Sequence, residues 1–202
     1  MSEIKVNKIS PATGTAFTLG DSGDTFTVPS GATITNSGTA TGFGGGKILQ
    51  VQFVEKTDSF TSNAATATLI TGMTVDITPT ATTSKIFVLV HAQGSQHPGS
   101  NNMFCTLQRD STPIHIGDAS SSRQRATFQL HTNNLGWTAS GGCAFLDPNT
   151  PADTTTAITY KLMGQSENAS VYWHINRSHN DSDSNLHGRL ASSITLIELG
   201  PN

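Results

Sequence analysis

Along residues 47–202 apolar and polar positions alternate in short runs, and no stretch holds an i, i+3, i+4, i+7 pattern over three turns. The runs predict strands at Ile48–Val54, Ala67–Thr71, Thr74–Thr78, Lys85–Ala92, Phe104–Arg109, Ile114–Gly117, Ala126–Thr132, Gly142–Leu146, Ala157–Met163, Val171–Ile175 and Ser192–Leu199. Turn clusters such as "TPTATTS", "GSQHPGSNN", "LDPNTPADTT" and "SHNDSDSNLHG" divide them. Short strands at such regular spacing point to an all-β head, a β-sandwich of jelly-roll type. "SKIFVLVHA" reads as a central strand, because it is apolar almost throughout. "SSITLIELG" reads as a last strand that closes a sheet.

Residues 1–46 follow another rule. Glycines 14, 23, 31 and 38 can be set in register, and positions three and five beyond each carry Phe17 and Leu19, Phe26 and Val28, Ile34 and Asn36, then Thr41 and Phe43. The unit Gly-x-x-apolar-Thr-apolar puts two apolar side chains on one face of a short strand, with glycine and the Pro29–Ser30 pair at the corners. A ribbon this short and thinly apolar has no core of its own and no cysteine to staple it. Several copies sharing one apolar face would solve both problems, so an intertwined homotrimeric stalk is expected at 1–46. "GFGGG" at 42–46 would be a swivel before the head at 47–202.

Composition narrows the function. Only 12% of residues are charged, the formal net charge is −3, and the arginines are scattered, so no basic stripe exists for nucleic acid. Cys105 and Cys143 lack zinc-ligand spacing and read as buried thiols. No apolar run is long enough to insert into a membrane, and the N-terminus has no secretory pattern, so a cytoplasmic origin is expected.

The stretch "IKVNKISPATGTAFTLGDSGDTFTVPSGATITNSGTATGFG" resembles the N-terminal module of structural proteins from tailed bacteriophages that infect marine bacteria and cyanobacteria. The segments "GKILQVQFVEKTD", "GMTVDITPTATTSKIFVLV" and "LQRDSTPIHIGD" resemble the β-rich modules that follow in those proteins. The resemblance implies a virion protein made in the host bacterial cytoplasm, a homotrimeric tail fibre or similar appendage. Its N-terminal segment would dock on another virion protein, and its head would meet a host cell-surface glycan or protein. A capsid-attached head fibre or decoration protein is the alternative, and a glycan depolymerase a more distant one.

Catalytic patterns are missing. The acidic residues lie mostly in turn contexts rather than as a placed pair, and no nucleophile elbow or phosphate loop occurs. No cofactor is implied, and the reading is non-enzymatic. "YWHINRSHNDSDSNLHG" is the most polar stretch, with His174, His179 and His187 around Asp181 and Asp183. Its spacings miss the common zinc patterns, and "DSDSN" fails as a calcium loop at Leu186 and Ser192. It reads either as a solvated loop or as a ligand-facing one at the tip. Stacking on sugars would fall to Trp137 and to Trp173 or its neighbour Tyr172, one of which must face inward. His97 in "GSQHPGSNN" marks a second candidate tip loop.

Overall fold

The computed structural model describes residues 9–33, 35, 48–97, 102–148 and 156–200. The chain divides into two units, Met1–Phe43 and Gly44–Asn202.

The second unit is all-β. Its strands are β1 (Ile48–Lys56), β2 (Phe60–Ser62), β3 (Thr68–Ile77), β4 (Lys85–Gln96), β5 (Met103–Arg109), β6 (Thr112–Pro113), β7 (Phe128–Leu130), β8 (Ala139–Leu146), β9 (Ile158–Ser166), β10 (Trp173–Ile175) and β11 (Ser192–Leu199). They form two antiparallel sheets. In the first, β11 lies between β1 and β4, and β8 covers the other edge of β4. In the second, β9 lies between β3 and β5, and β7 pairs β5. Period-two alternation fills the space between the sheets: Ile86, Val88 and Ala92 with Ile194 and Leu196 from one side, Met103, Cys105 and Leu107 with Tyr160 and Leu162 from the other.

Long β4 holds two partners end to end on one edge, β11 along Lys85–His91 and β10 along Gly94–Gln96. Between β10 and β11 the chain leaves the sheet at Asn176 and re-enters at Ser192. That excursion carries the polar stretch singled out in the sequence.

Several strand expectations are corrected. Ala67–Thr71 and Thr74–Thr78 are one strand, β3, interrupted by a register shift where Gly72 takes φ +86°. Ile114–Gly117 forms no strand: pairing ends at Thr112–Pro113, and His115 at φ 51° turns the chain outward. The Ala126–Thr132 run keeps only Phe128–Leu130 paired, and β2 was not expected. The last strand lies inside its sheet rather than closing it. Cys105 is buried and Cys143 half-buried, and burial pushes both thiols up, Cys143 to about 11.

The outward face of the first sheet departs from the usual apolar-in, polar-out rule. The register sets Val51, Ile197, Phe87 and Leu146 side by side across β1, β11, β4 and β8, and Phe53, Thr195, Leu89 and Ala144 in the next row. Phe53 is 71% exposed and Val51 48%. No charge lies within these two rows. Lys85 stands beyond one of them and Glu55 beyond the other.

In the first unit, residues 9–33 and 35 carry no strand. The three aligned glycines that are described, Gly14, Gly23 and Gly31, all take positive φ, and Ala32 N–H donates to Pro29 O in a turn. The expected short strands are absent from these residues because a lone ribbon offers no ladder to pair with. Leu19 and Phe26 stay 63% and 68% exposed. The third and fourth repeat pairs (Ile34, Asn36, Thr41, Phe43) and the 42–46 swivel lie outside the described residues.

Candidate functional site at one end of the sandwich

Three parts of the chain meet beside the β4–β10 pair: His97 just past β4, residues 131–138, and the 176–191 excursion. Asn176 sets the base of the excursion. It takes φ 60°, a left-handed conformation that Asn tolerates better than most residues, and it is 1% exposed. Its N–H donates to Gln93 O at 2.9 Å, and its carbonyl accepts from Leu190 N–H at 3.1 Å. Its Nδ2 donates to the carbonyls of Lys56 and Asp58, at 2.6 and 3.0 Å. Its Oδ1 accepts from Ser192 Oγ at 2.6 Å.

Above this base, Asp181 holds two arginines, with Arg177 Nη1 at 2.7 Å and Arg189 Nη2 at 2.8 Å. An isolated exposed pair would contribute little, but one carboxylate bridging two guanidiniums fixes the shape of the loop. Asn180 N–H donates to Leu135 O at 2.7 Å, which ties the excursion to the 131–138 loop. His187 packs beside Gly136, where an added Cβ would come within 3.2 Å of the ring. His187 Nδ1 pairs with Ser182 Oγ at 2.9 Å.

A line of histidines runs beneath. His174 Nδ1 pairs with Thr61 Oγ1 and His174 Nε2 with His179 Nδ1, each at 2.9 Å. The rings of His179 and His97 meet edge-on at 4.9 Å between centroids. Burial, then the charges of Arg177 and His179, push His174 down to about 3, against a smaller upward pull from Asp181. Burial, with His97 and Arg177, lowers His179 as well. Both rings are therefore neutral at pH 7 and act as hydrogen-bonding groups.

The structure thus gathers His97, His174, His179, Asp181 and His187 at one end, with Trp137 on the adjoining loop. Asp183 is exposed and outside this network. Trp173 is corrected: it is fully buried, packed on Phe60 at 5.4 Å, and roofs Gly164 so closely that an added Cβ there would lie 2.6 Å from its ring. Its Nε1–H donates to Ala64 O. Trp173 belongs to the core, and Tyr172, 52% exposed, is the outward member of the pair. Trp137 is 65% exposed. Residues 98–101 of the His97 loop lie outside the described residues.

Among the described residues no three His, Cys, Asp or Glu side chains converge to hold a metal ion. The arrangement suits recognition: exposed aromatics beside neutral imidazoles and amides, on loops fastened to a rigid sheet. Thr61 and Asn176 could not be read as members from sequence, because their partners are brought in by sheet register, whereas Arg177 and Arg189 join through Asp181 within the loop itself.

No family model and no curated protein matches the chain. Among solved structures, a chain of the tripod (BppUct-A-L) from the baseplate of bacteriophage Tuc2009 is similar at 12% identity, over 92% of this chain and 84% of that one. The TM-score is 0.17, and a likeness of that size carries no argument about function.

Proposed function

We propose that this chain is a structural protein of a bacteriophage virion, a homotrimeric tail fibre whose sandwich head adheres to the host surface through the loops around His97, Trp137 and His179. The observation that carries the reading is the uncharged apolar face across β1, β11, β4 and β8. Two rows on four strands present on the order of 300 Å², as large as the biggest apolar patch of an ordinary monomer. A stable interface takes about 800 Å² from each partner, so these rows would form the centre of one. The occupant is a second copy of the chain: with opposite charges at the two margins, the Lys85 margin of one copy would meet the Glu55 margin of the next in a three-fold ring.

The exposed Leu19 and Phe26 of the first unit support the same solution for the stalk, which would also dock on another virion protein. The sequence resemblance to tailed-phage structural proteins supports the virion setting. The strand order β1-β11-β4-β8 against β3-β9-β5-β7 supports reading the head as a jelly roll. The head is read as non-enzymatic: the tip histidines hydrogen-bond to one another and to the hydroxyls of Thr61 and Ser182, contacts that orient the loop. Three copies of a weak tip site would add avidity.

Light scattering on the full chain, followed by binding of the labelled protein to whole host cells, tests the proposal. A trimer that binds cells supports it. A trimer that binds no cell makes the chain a capsid fibre or decoration protein, and a single-chain mass removes the fibre reading.

A further inference from the structure

A second candidate site lies on the other sheet, away from both the apolar face and the histidine tip. The segment between β6 and β7 folds back on itself as a short arm. Gly117 N–H donates to Ala126 O at 3.4 Å, and the chain turns where Arg123 N–H donates to Ser120 O at 3.1 Å. Ser121, at the turn, takes φ 51°. The arm is fastened to β5 by Thr127, whose N–H donates to Cys105 O and whose Oγ1 accepts from Leu107 N–H, both at 2.9 Å. It walls a cleft of about 350 Å³.

The cleft has an apolar floor and a cationic rim. Half-buried Phe104 forms the floor, while the ring of Phe128 turns inward onto Gly141 and the core; Arg123 and Arg125 stand over the floor with Gln124 and Gln129 beside them. Arg125 is oriented by its Nε–H, which donates to Gly117 O at 2.6 Å and leaves the two Nη groups directed elsewhere. No hydrogen bond or ion pair among the described residues engages the guanidinium of Arg123. Asp118 is the single carboxylate on the rim. Two guanidinium charges against one carboxylate leave a net charge of +1, in a chain whose total is −3.

We infer that this cleft binds an acidic sugar unit of a surface polysaccharide, with its negative group between Arg123 and Arg125 and its ring over Phe104. The volume is at the low end for ligand pockets and fits one ring rather than an extended chain. Guanidinium forks match the planar geometry of a carboxylate, and aromatic side chains pack the C–H face of a sugar. The amides of Gln124 and Gln129 supply acceptors and donors for hydroxyls. A net charge of +1 suits a singly charged ligand over a phosphate diester chain or a nucleic acid. The inference rests on the adhesion reading and names a ligand class for it. Because the cleft lies on the sheet opposite the apolar face, self-association through that face leaves it open.

The test is calorimetry on the full chain with a galacturonic acid oligomer, a sulfated galactose oligomer and the neutral galactose oligomer. Binding of either acidic oligomer, weakened by salt and absent for the neutral one, is expected. Arg123→Gln should weaken that binding about tenfold with an unchanged unfolding midpoint, since the side chain is exposed. Arg125→Lys should also weaken it, because the fork is lost while the charge remains. Acidic-oligomer binding that ignores Arg123→Gln overturns the assignment. So does failure to bind either acidic oligomer, and whole-cell binding in that case leaves the adhesion reading standing with its ligand elsewhere. Loss of both would overturn the adhesion reading as well.

Discussion

Ser192 Oγ donates to Asn176 Oδ1 at 2.6 Å, across sixteen residues of chain, and this bond closes the base of the loop that carries Asp181 and His187. Ser192 Oγ in turn accepts from Gln93 N–H at 3.0 Å, so the closure is anchored to β4. Both residues are about 1% exposed. The loop is therefore a fixed projection from the sheet, as recognition at a tip requires.

Asn176→Ala should cost about 3 kcal/mol, since it strips buried partners from two carbonyls and a hydroxyl and leaves a residue with a Cβ at φ 60°. Urea unfolding would show this as a lower midpoint at unchanged slope. Asn176→Gly keeps the backbone conformation and loses only the side-chain bonds, so it should fall between the two. An Asn176→Ala midpoint equal to that of the parent protein would mean that backbone pairing alone holds the loop.

The histidine line predicts acid sensitivity. The unfolded chain protonates His174 near 6.5, whereas the folded one does so only at about 3. Between these values the unfolded state binds more protons, so stability is complete above about pH 6.5 and falls as the pH drops. His179, shifted the same way, adds to the trend. His174 alone would account for about 3 kcal/mol between pH 7 and pH 4. Unfolding midpoints across that range should decline, and His174→Gln, which keeps partners for Thr61 and His179 without titrating, should flatten the decline.

These two predictions also mark what the sequence disclosed. The polar stretch from Tyr172 to Gly188 was visible as a candidate because charge and histidine are concentrated there in a chain with few charges. Alternation required one of Tyr172 and Trp173 to be buried, but only the register with Ser62 and Gln96, and the gap over Gly164, decides which. Pairing of His97 with His179, or of Thr61 with His174, links residues far apart in sequence, and no local pattern encodes it. The central position of β4 was legible from its continuous apolar run. The interior position of β11 was not, because an alternating strand looks the same at an edge as inside. The cleft beneath Arg123 escaped for a similar reason: its arginines look scattered until the arm folds back on β5.

Self-association through the apolar face has a direct test. Phe53→Glu puts a carboxylate at the β1 end of the two uncharged rows, where burial in an interface would leave it unpaired. The variant should show a single-chain mass at concentrations where the parent protein is trimeric. Its fold should survive, because Phe53 is 71% exposed in one chain and contributes little to the head's own core. A trimer that persists at all dilutions would place the interface elsewhere.

A buried ion pair gives a prediction independent of function. Arg109 Nη1 reaches both oxygens of Asp147 at 3.0 and 2.8 Å, and Tyr160 Oη donates to the same carboxylate at 2.9 Å. Asp147 is 1% exposed. Burial, reinforced by this carboxylate, raises the Tyr160 hydroxyl well above its ordinary range, so it stays a donor. Arg109→Met should cost about 3 kcal/mol at pH 7, because it strands a buried charge. The double variant Arg109→Met, Asp147→Asn should be more stable than the single one.

The two tryptophans separate core from recognition surface. Trp173→Leu leaves a void against Phe60, Gly164 and Met103, so it should cost about 3 kcal/mol, although the Ala64 carbonyl keeps its bonds from Ser166. Trp137 is 65% exposed on the loop beside His187, and Trp137→Ala should shift stability by no more than about 0.5 kcal/mol. If the tip is an adhesive surface, the same substitution removes its largest exposed aromatic and should reduce whole-cell binding about tenfold. Thermal unfolding and cell binding measured on the same preparations decide the matter. A Trp137→Ala protein that is as stable as the parent and binds cells equally well would move adhesion away from this end, leaving the Arg123 cleft as the surface to test.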